Sequence, residues 1–163
     1  MMSKLFFDES VIFLNLEGDT AEKVLRIMSA NLVEKGLVKK SFIPAILKRE
    51  REFATGLPTG SVPVAIPHTD VEHVKQKSIS VAVLKNPVDF VVMGEESKTI
   101  AVRLVFMLAM DEAHSQLTFL QKLMQIFQEE EILKKIAEAK DKTFIRRLLE
   151  EKLNLVAFKG GDK

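Results

Sequence analysis

The sequence predicts an α/β fold, a single layered domain in which a mixed sheet of about five strands is flanked by helices. Three observations predict it. Segments with helical spacing occur before, between and after segments that read as strands. The run from Ile100 to Ala109 is apolar nearly throughout, as a buried central strand requires. A chain of 163 residues that is 47% hydrophobic can bury one core. No repeat or linker divides residues 1–163, so one domain is expected, with the glycine-rich residues 159–163 as a frayed tail.

Val11 to Leu16 reads as an opening strand closed by a Gly18-Asp19 turn. In the helix that follows, Asp19 and Glu22 have capping-box spacing, and Ala21, Val24, Leu25, Met28, Leu32 and Val33 recur on one face until Gly36. Ser41 is placed to cap a second helix, with Pro44 in its first turn and Ile43, Ile46 and Leu47 as its buried stripe, running to about Phe53. Thr55 to Pro67, with two glycines and three prolines, reads as a stiff ordered loop. Ile79–Leu84 and Val88–Met93 read as two strands joined by a Lys85-Asn86-Pro87 turn, ahead of the central strand. Beyond Met110 the pattern is helical. Leu117, Leu120, Met124 and Phe127 mark one face, Ile132, Leu133 and Ile136 the next, and Phe144, Ile145, Leu148 and Leu149 a last one capped by Asp141.

Composition excludes several function classes. Lysine and arginine number 24 against 23 aspartates and glutamates, a formal charge of +1, so no strong field exists for nucleic acid or anionic lipid, and no nucleic-acid partner is expected. Cysteine is absent, which removes disulfides and thiolate metal sites and is compatible with a reducing cytosol. The apolar run in MMSKLFFDES is too short for a signal-peptide core, and Val102–Met110 contains Arg103 and is about half a membrane span. A cytoplasmic protein is the expectation.

The three histidines, at 68, 73 and 114, direct attention to chemistry. His68 follows Ala65-Ile66-Pro67, and the fixed φ of proline limits the freedom of its attachment point. His114 lies just past the central strand, near a helix start whose free N–H groups favour an anion. Arg49 supplies a planar charged donor and Thr55 a hydroxyl. A neutral imidazole is a nucleophile at physiological pH, and such donors stabilise phosphoryl oxygens, so the set suits phosphoryl transfer. A rival reading uses His68, Asp70 and His73 as H-x-D-x-x-H, with Asp111 and His114 completing a metal site for hydrolysis. The spacing lacks the helical H-E-x-x-H pattern, and no cofactor or metal is expected.

KRE, then ATGL, then VAIPHTD resembles the motif run of enzyme IIA domains of the fructose, mannitol and galactitol branch of the bacterial phosphoenolpyruvate-dependent sugar phosphotransferase system. The resemblance covers almost the whole chain and implies the mannitol-type IIA fold and phosphotransferase activity. It implies that His68 accepts phosphate from the histidine phosphocarrier protein and passes it to a cognate IIB component, and through it to the membrane IIC permease. It implies a supporting role for His114, phosphate or partner contact for Arg49, and places Thr55 in the T-G pair. The lengthened loop before His68 is more like the galactitol branch, so galactitol or a related polyol or sugar is the expected substrate. Leu57, Val62, Val64 and Ile66 are expected to form an apolar rim for docking. The alternative is a regulatory IIA-like domain, read by a signalling partner and not coupled to transport.

Overall fold

The computed structural model describes residues 4–153 and the backbone of the strand Ala157–Phe158. The tail predicted for 159–163 lies outside the described residues. In chain order the elements are β1 (Leu5–Phe6), β2 (Ile12–Leu16), α1 (Ala21–Glu34), α2 (Phe42–Glu52), β3 (Gly56–Leu57), β4 (Val64–Ala65), β5 (Ser78–Val92), β6 (Glu95–Ala109), α3 (Ala113–Ile126), α4 (Glu130–Ala137), α5 (Lys142–Lys152) and β7 (Ala157–Phe158). The fold is α/β, as the sequence predicts, with five helices against a mixed sheet of seven strands among the described residues, in place of about five. The additional strands are the two-residue pieces β1, β3, β4 and β7, too short to show any alternation in sequence.

A long antiparallel hairpin of β5 and β6 organises everything else. Its turn is Met93-Gly94, where Gly94 takes φ 79°, a conformation that costs glycine nothing. Near this turn β5 alternates buried and exposed residues, so one face meets water. From Ser78 to Leu84 and from Leu104 to Ala109 every residue is buried, which explains why the central strand reads as a continuous apolar run.

Lys85-Asn86-Pro87 does not end a strand. Val83 pairs with Leu104 and Val88 with Val102, so five steps along β5 oppose two along β6. The three residues are exposed and form a bulge in one continuous strand. Proline is tolerated there because a bulged residue owes the ladder no N–H. Arg103, opposite the bulge, donates from Nε to the Leu84 carbonyl at 3.1 Å.

β1 and β2 both pair parallel with β5 on its other edge, separated by a 3-10 turn at Glu9–Val11. That turn is tied to α5: Arg146, 9% exposed, donates to Glu9 Oε1 and Glu150 Oε1, each at 2.9 Å. The cap of α1 is Thr20, whose hydroxyl accepts the Lys23 N–H at 3.1 Å, while Asp19 pairs with the Lys23 ammonium in solvent. Ser41 starts α2 but makes no side-chain cap; its hydroxyl meets His73 Nδ1 at 2.9 Å. Asp141 caps α5 as predicted, accepting the Phe144 N–H at 2.8 Å. In α3 the buried face is Phe119, Leu123 and Ile126, continued by Phe127, whose ring packs 5.1 Å from Phe106. Leu117 and Met124, predicted to face inward, are exposed.

Candidate functional site

The segment 55–67 is stiff, but it is stiff because it is a closed ladder. Gly56 and Leu57 pair antiparallel with Ala65 and Val64, and Val64 and Ala65 pair parallel with Leu104 and Val105 of β6. Gly56 also abuts β5: a Cβ there would lie 2.6 Å from the Val91 carbonyl oxygen, so only glycine fits. The hairpin tip is held by Thr59, which donates to the Val62 carbonyl at 2.6 Å, and by Ser61, whose hydroxyl donates to Glu130 Oε1 at 2.5 Å.

This ladder delivers His68 to the C-terminal end of β6, because the Leu108 N–H donates to the Pro67 carbonyl at 3.0 Å. Downstream, the Lys39 N–H donates to the His73 carbonyl at 2.8 Å, and the Lys75 and Gln76 N–H groups share the Leu37 carbonyl. The histidine is therefore clamped on both sides. Its ring is half-buried, and Nδ1 lies 2.8 Å from the Ile66 carbonyl oxygen. A carbonyl only accepts, so Nδ1 carries the proton and Nε2 keeps its lone pair. Burial pushes the His68 pKa below 6.5; the Ile66 bond opposes this and the Arg49 charge reinforces it. The neutral imidazole dominates at pH 7.

Arg49 reaches the site from the last turn of α2, with its guanidinium 4.3 Å from the centre of the Phe53 ring. Phe53, at the helix end, is 57% exposed. Between Arg49 and the ladder sits Glu50, whose carboxylate accepts from the Thr55 N–H and the Thr55 hydroxyl, each at 2.8 Å. Burial raises the Glu50 pKa to about 7, against the lowering effect of both Thr55 bonds. Thr55 itself is 3% exposed, and the hydroxyl expected to face phosphate is engaged with Glu50.

His114 is the second residue of α3 and is exposed. Along the chain it follows six residues after Leu108, whose N–H holds the Pro67 carbonyl, across the junction from β6 to α3. Lys77, 3% exposed, donates to the Ser115 hydroxyl at 3.3 Å, and Ser115 donates to Glu112 Oε1 at 2.7 Å. These bonds fasten the start of α3 to the start of β5.

The rival metal site is not assembled. His73 is turned to Ser41, and among the described residues no three His, Cys, Asp or Glu side chains could hold a metal ion. The expected apolar rim is also displaced: Val62, Val64 and Ile66 are core residues at 6%, 0% and 0% exposure, because β4 lies inside the sheet. Exposed apolar side chains on the helices that carry Arg49 and His114 include Phe53, against the Arg49 guanidinium, and Leu117, one turn past His114. Glu50 and Gly56 were visible in sequence as halves of the R-E and T-G pairs, but nothing local reveals that one anchors Thr55 and the other admits β5. Lys77 carries no sequence signal.

This architecture is that of a mannitol-type IIA domain. It matches a solved complex of enzyme IIA-mannitol with phosphorylated IIB-mannitol from Escherichia coli with a TM-score of 0.70, at 23% identity over 92% of this chain and 98% of that one. The chain belongs to the family described as phosphoenolpyruvate-dependent sugar phosphotransferase system, EIIA 2, whose model matches residues 5–152. The mannitol-specific phosphotransferase enzyme IIA component of Staphylococcus aureus is 30% identical over 151 residues, covering 92% of this chain and 98% of that one. The galactitol-specific EIIA component of Escherichia coli K12 is 28% identical over 132 residues, covering 81% and 84%. The transcriptional regulator ManR of Bacillus subtilis is 33% identical over 108 residues, 66% of this chain and only 15% of that regulator's length. The chain is thus a phosphotransferase-system EIIA component. Among the described residues no helix is long and apolar enough to cross a membrane.

Proposed function

We propose that this chain relays a phosphoryl group on His68 Nε2, from the histidine phosphocarrier protein to a cognate IIB component serving a IIC permease, in the cytoplasm. The observation that carries this is the Nδ1–H bond to the Ile66 carbonyl, which leaves Nε2 as the lone-pair nitrogen on a neutral ring. The Nε2 lone pair forms a new N–P bond as the carrier's own N–P bond breaks, and the electron pair returns to the carrier's nitrogen. No proton has to leave His68, since the attacking nitrogen bears none. The phosphoryl group adds about −1.5 to −2 charge, and in this reading Arg49, the exposed His114 and the first N–H groups of α3 stabilise it. Thr55 serves by ordering the loop beneath the ring.

Galactitol or a related polyol is the favoured substrate class, on the long 58–63 segment before Val64 and on the galactitol-specific relative. The match to ManR favours a second reading, in which the phosphorylation state is read by a regulatory partner without transport. Intact mass after incubation with phosphoenolpyruvate, enzyme I and the phosphocarrier tests the relay. One acid-labile phosphoryl addition in wild type, absent in His68→Ala, is expected; equal labelling of the variant refutes the assignment. Transfer of that phosphate to a IIB protein separates the two readings.

A further inference from the structure

We infer that Glu50 is a positioning residue for the phosphoryl-accepting ring, acting through Thr55 and Ile66; the inference rests on the relay reading above. Three consecutive links connect the carboxylate to the imidazole. Glu50 accepts both donors of Thr55, the Thr55 carbonyl accepts the Ile66 N–H at 3.3 Å, and the Ile66 carbonyl accepts His68 Nδ1–H at 2.8 Å. No link passes through a flexible side chain except the two ends.

The coupling is mechanical. At Thr55 the donating N–H and the accepting carbonyl belong to different peptide units, and the same holds at Ile66, so charge is not relayed along one conjugated amide. What Glu50 fixes is the orientation of Thr55 by two bonds at once. Thr55 then sets the register of Ile66, and Ile66 sets the direction of the carbonyl that selects the ring tautomer. Pro67 follows Ile66 and removes a compensating rotation at its own φ. A half-buried carboxylate is costly to keep, and an apolar residue would fill the space without that cost. Here its two bonds to Thr55 hold the loop that carries the nucleophile.

Glu50→Gln is the conservative variant. Its amide oxygen accepts the Thr55 N–H, and its NH2 donates to a rotated Thr55 hydroxyl, so both links survive without charge. Glu50→Ala removes both. Long-range 1H–15N NMR of His68 reads the tautomer directly, and the initial rate of phosphoryl uptake reads the consequence. Expected are the Nδ1–H tautomer in wild type and in Glu50→Gln, a gain of the Nε2–H tautomer in Glu50→Ala, and uptake in that variant slower by roughly tenfold with one phosphoryl group per chain still reached. Glu50→Ala with the wild-type tautomer and rate overturns the inference, and so does Glu50→Gln losing as much as Glu50→Ala. If Glu50→Ala does not fold, Thr55→Val decides: a shifted tautomer there, with Thr55→Ser at wild type, supports the link, and an unshifted one overturns it. Wild type taking up no phosphate refutes the relay reading alone, because the tautomer comparison needs no transfer.

Discussion

Thr55 gives both its backbone N–H and its hydroxyl to the carboxylate of Glu50, five residues earlier, each over 2.8 Å. The pair closes the end of α2 onto the loop that carries the nucleophile. Removing the hydroxyl leaves a half-buried carboxylate oxygen without its donor, a loss of about 1–3 kcal/mol. Thr55→Val is therefore expected to lower the unfolding free energy by that amount, read as a lower urea midpoint, and Thr55→Ser to leave the midpoint nearly unchanged. Equal midpoints for the two variants would show that the hydroxyl contributes nothing.

Glu50 makes stability depend on pH in an unusual direction. Its pKa in the fold is about 7 against an ordinary 4.5, so the folded chain holds this proton more tightly than the unfolded chain. The group's contribution is fully present below about pH 4.5 and is lost as pH rises through about 7, by at most about 3 kcal/mol. Glu50→Gln is expected to remove that decline. Urea unfolding of both proteins at pH 5 and pH 8 checks it, since the other carboxylates cancel in the comparison, and parallel behaviour would contradict the assignment.

His68 titrates in the opposite sense. Burial and Arg49 hold its folded pKa below 6.5, so the stability tied to its neutral ring is complete above pH 6.5 and is lost as pH falls through the folded pKa. Arg49→Gln is expected to raise the His68 pKa, followed by the Cε1–H signal in NMR. Phosphoryl uptake in that variant should fall most on the acid side, where more imidazolium lacks the attacking lone pair. An unmoved His68 pKa would mean that the guanidinium acts on phosphate or partner only.

Gly56 tests the close approach of the ladder to β5. A methyl group placed 2.6 Å from the Val91 carbonyl forces the two strands apart, and overpacking of this kind costs about 1–3 kcal/mol. Gly56→Ala is expected to lower the urea midpoint correspondingly and to slow phosphoryl uptake, because β4 and His68 move with β3. A variant as stable as wild type would show that the strands separate freely.

Much of this was legible in the sequence, and the failures have physical causes. The proline-flanked histidine, the helix start at His114 and the buried run of β6 are local signals, and the structure has them where the residues indicate. Lys85-Asn86-Pro87 has turn chemistry, and a bulge demands the same residues as a turn; only the partner strand distinguishes them. On α3, Leu117-Leu120-Met124-Phe127 and Phe119-Leu123-Ile126 are overlapping stripes of equal periodicity; the buried face takes the second stripe together with Phe127, which packs on Phe106, and leaves Leu117 and Met124 exposed. Val62, Val64 and Ile66 looked like a rim because two-residue strands leave no pattern from which burial could be inferred. The role of Glu50 is invisible locally, as it depends on residues 50, 55, 66 and 68 meeting through backbone groups.

Because Gly56 and Ala65 face each other across the ladder, residues 57 to 64 form an arm whose base is fixed independently of its length. Lengthening or shortening the tip around Pro58–Pro63 is absorbed beyond the last ladder pair and leaves His68 where it is. The arm can therefore diverge among relatives, reshaping the surface offered to a partner, while the reacting nitrogen keeps one address.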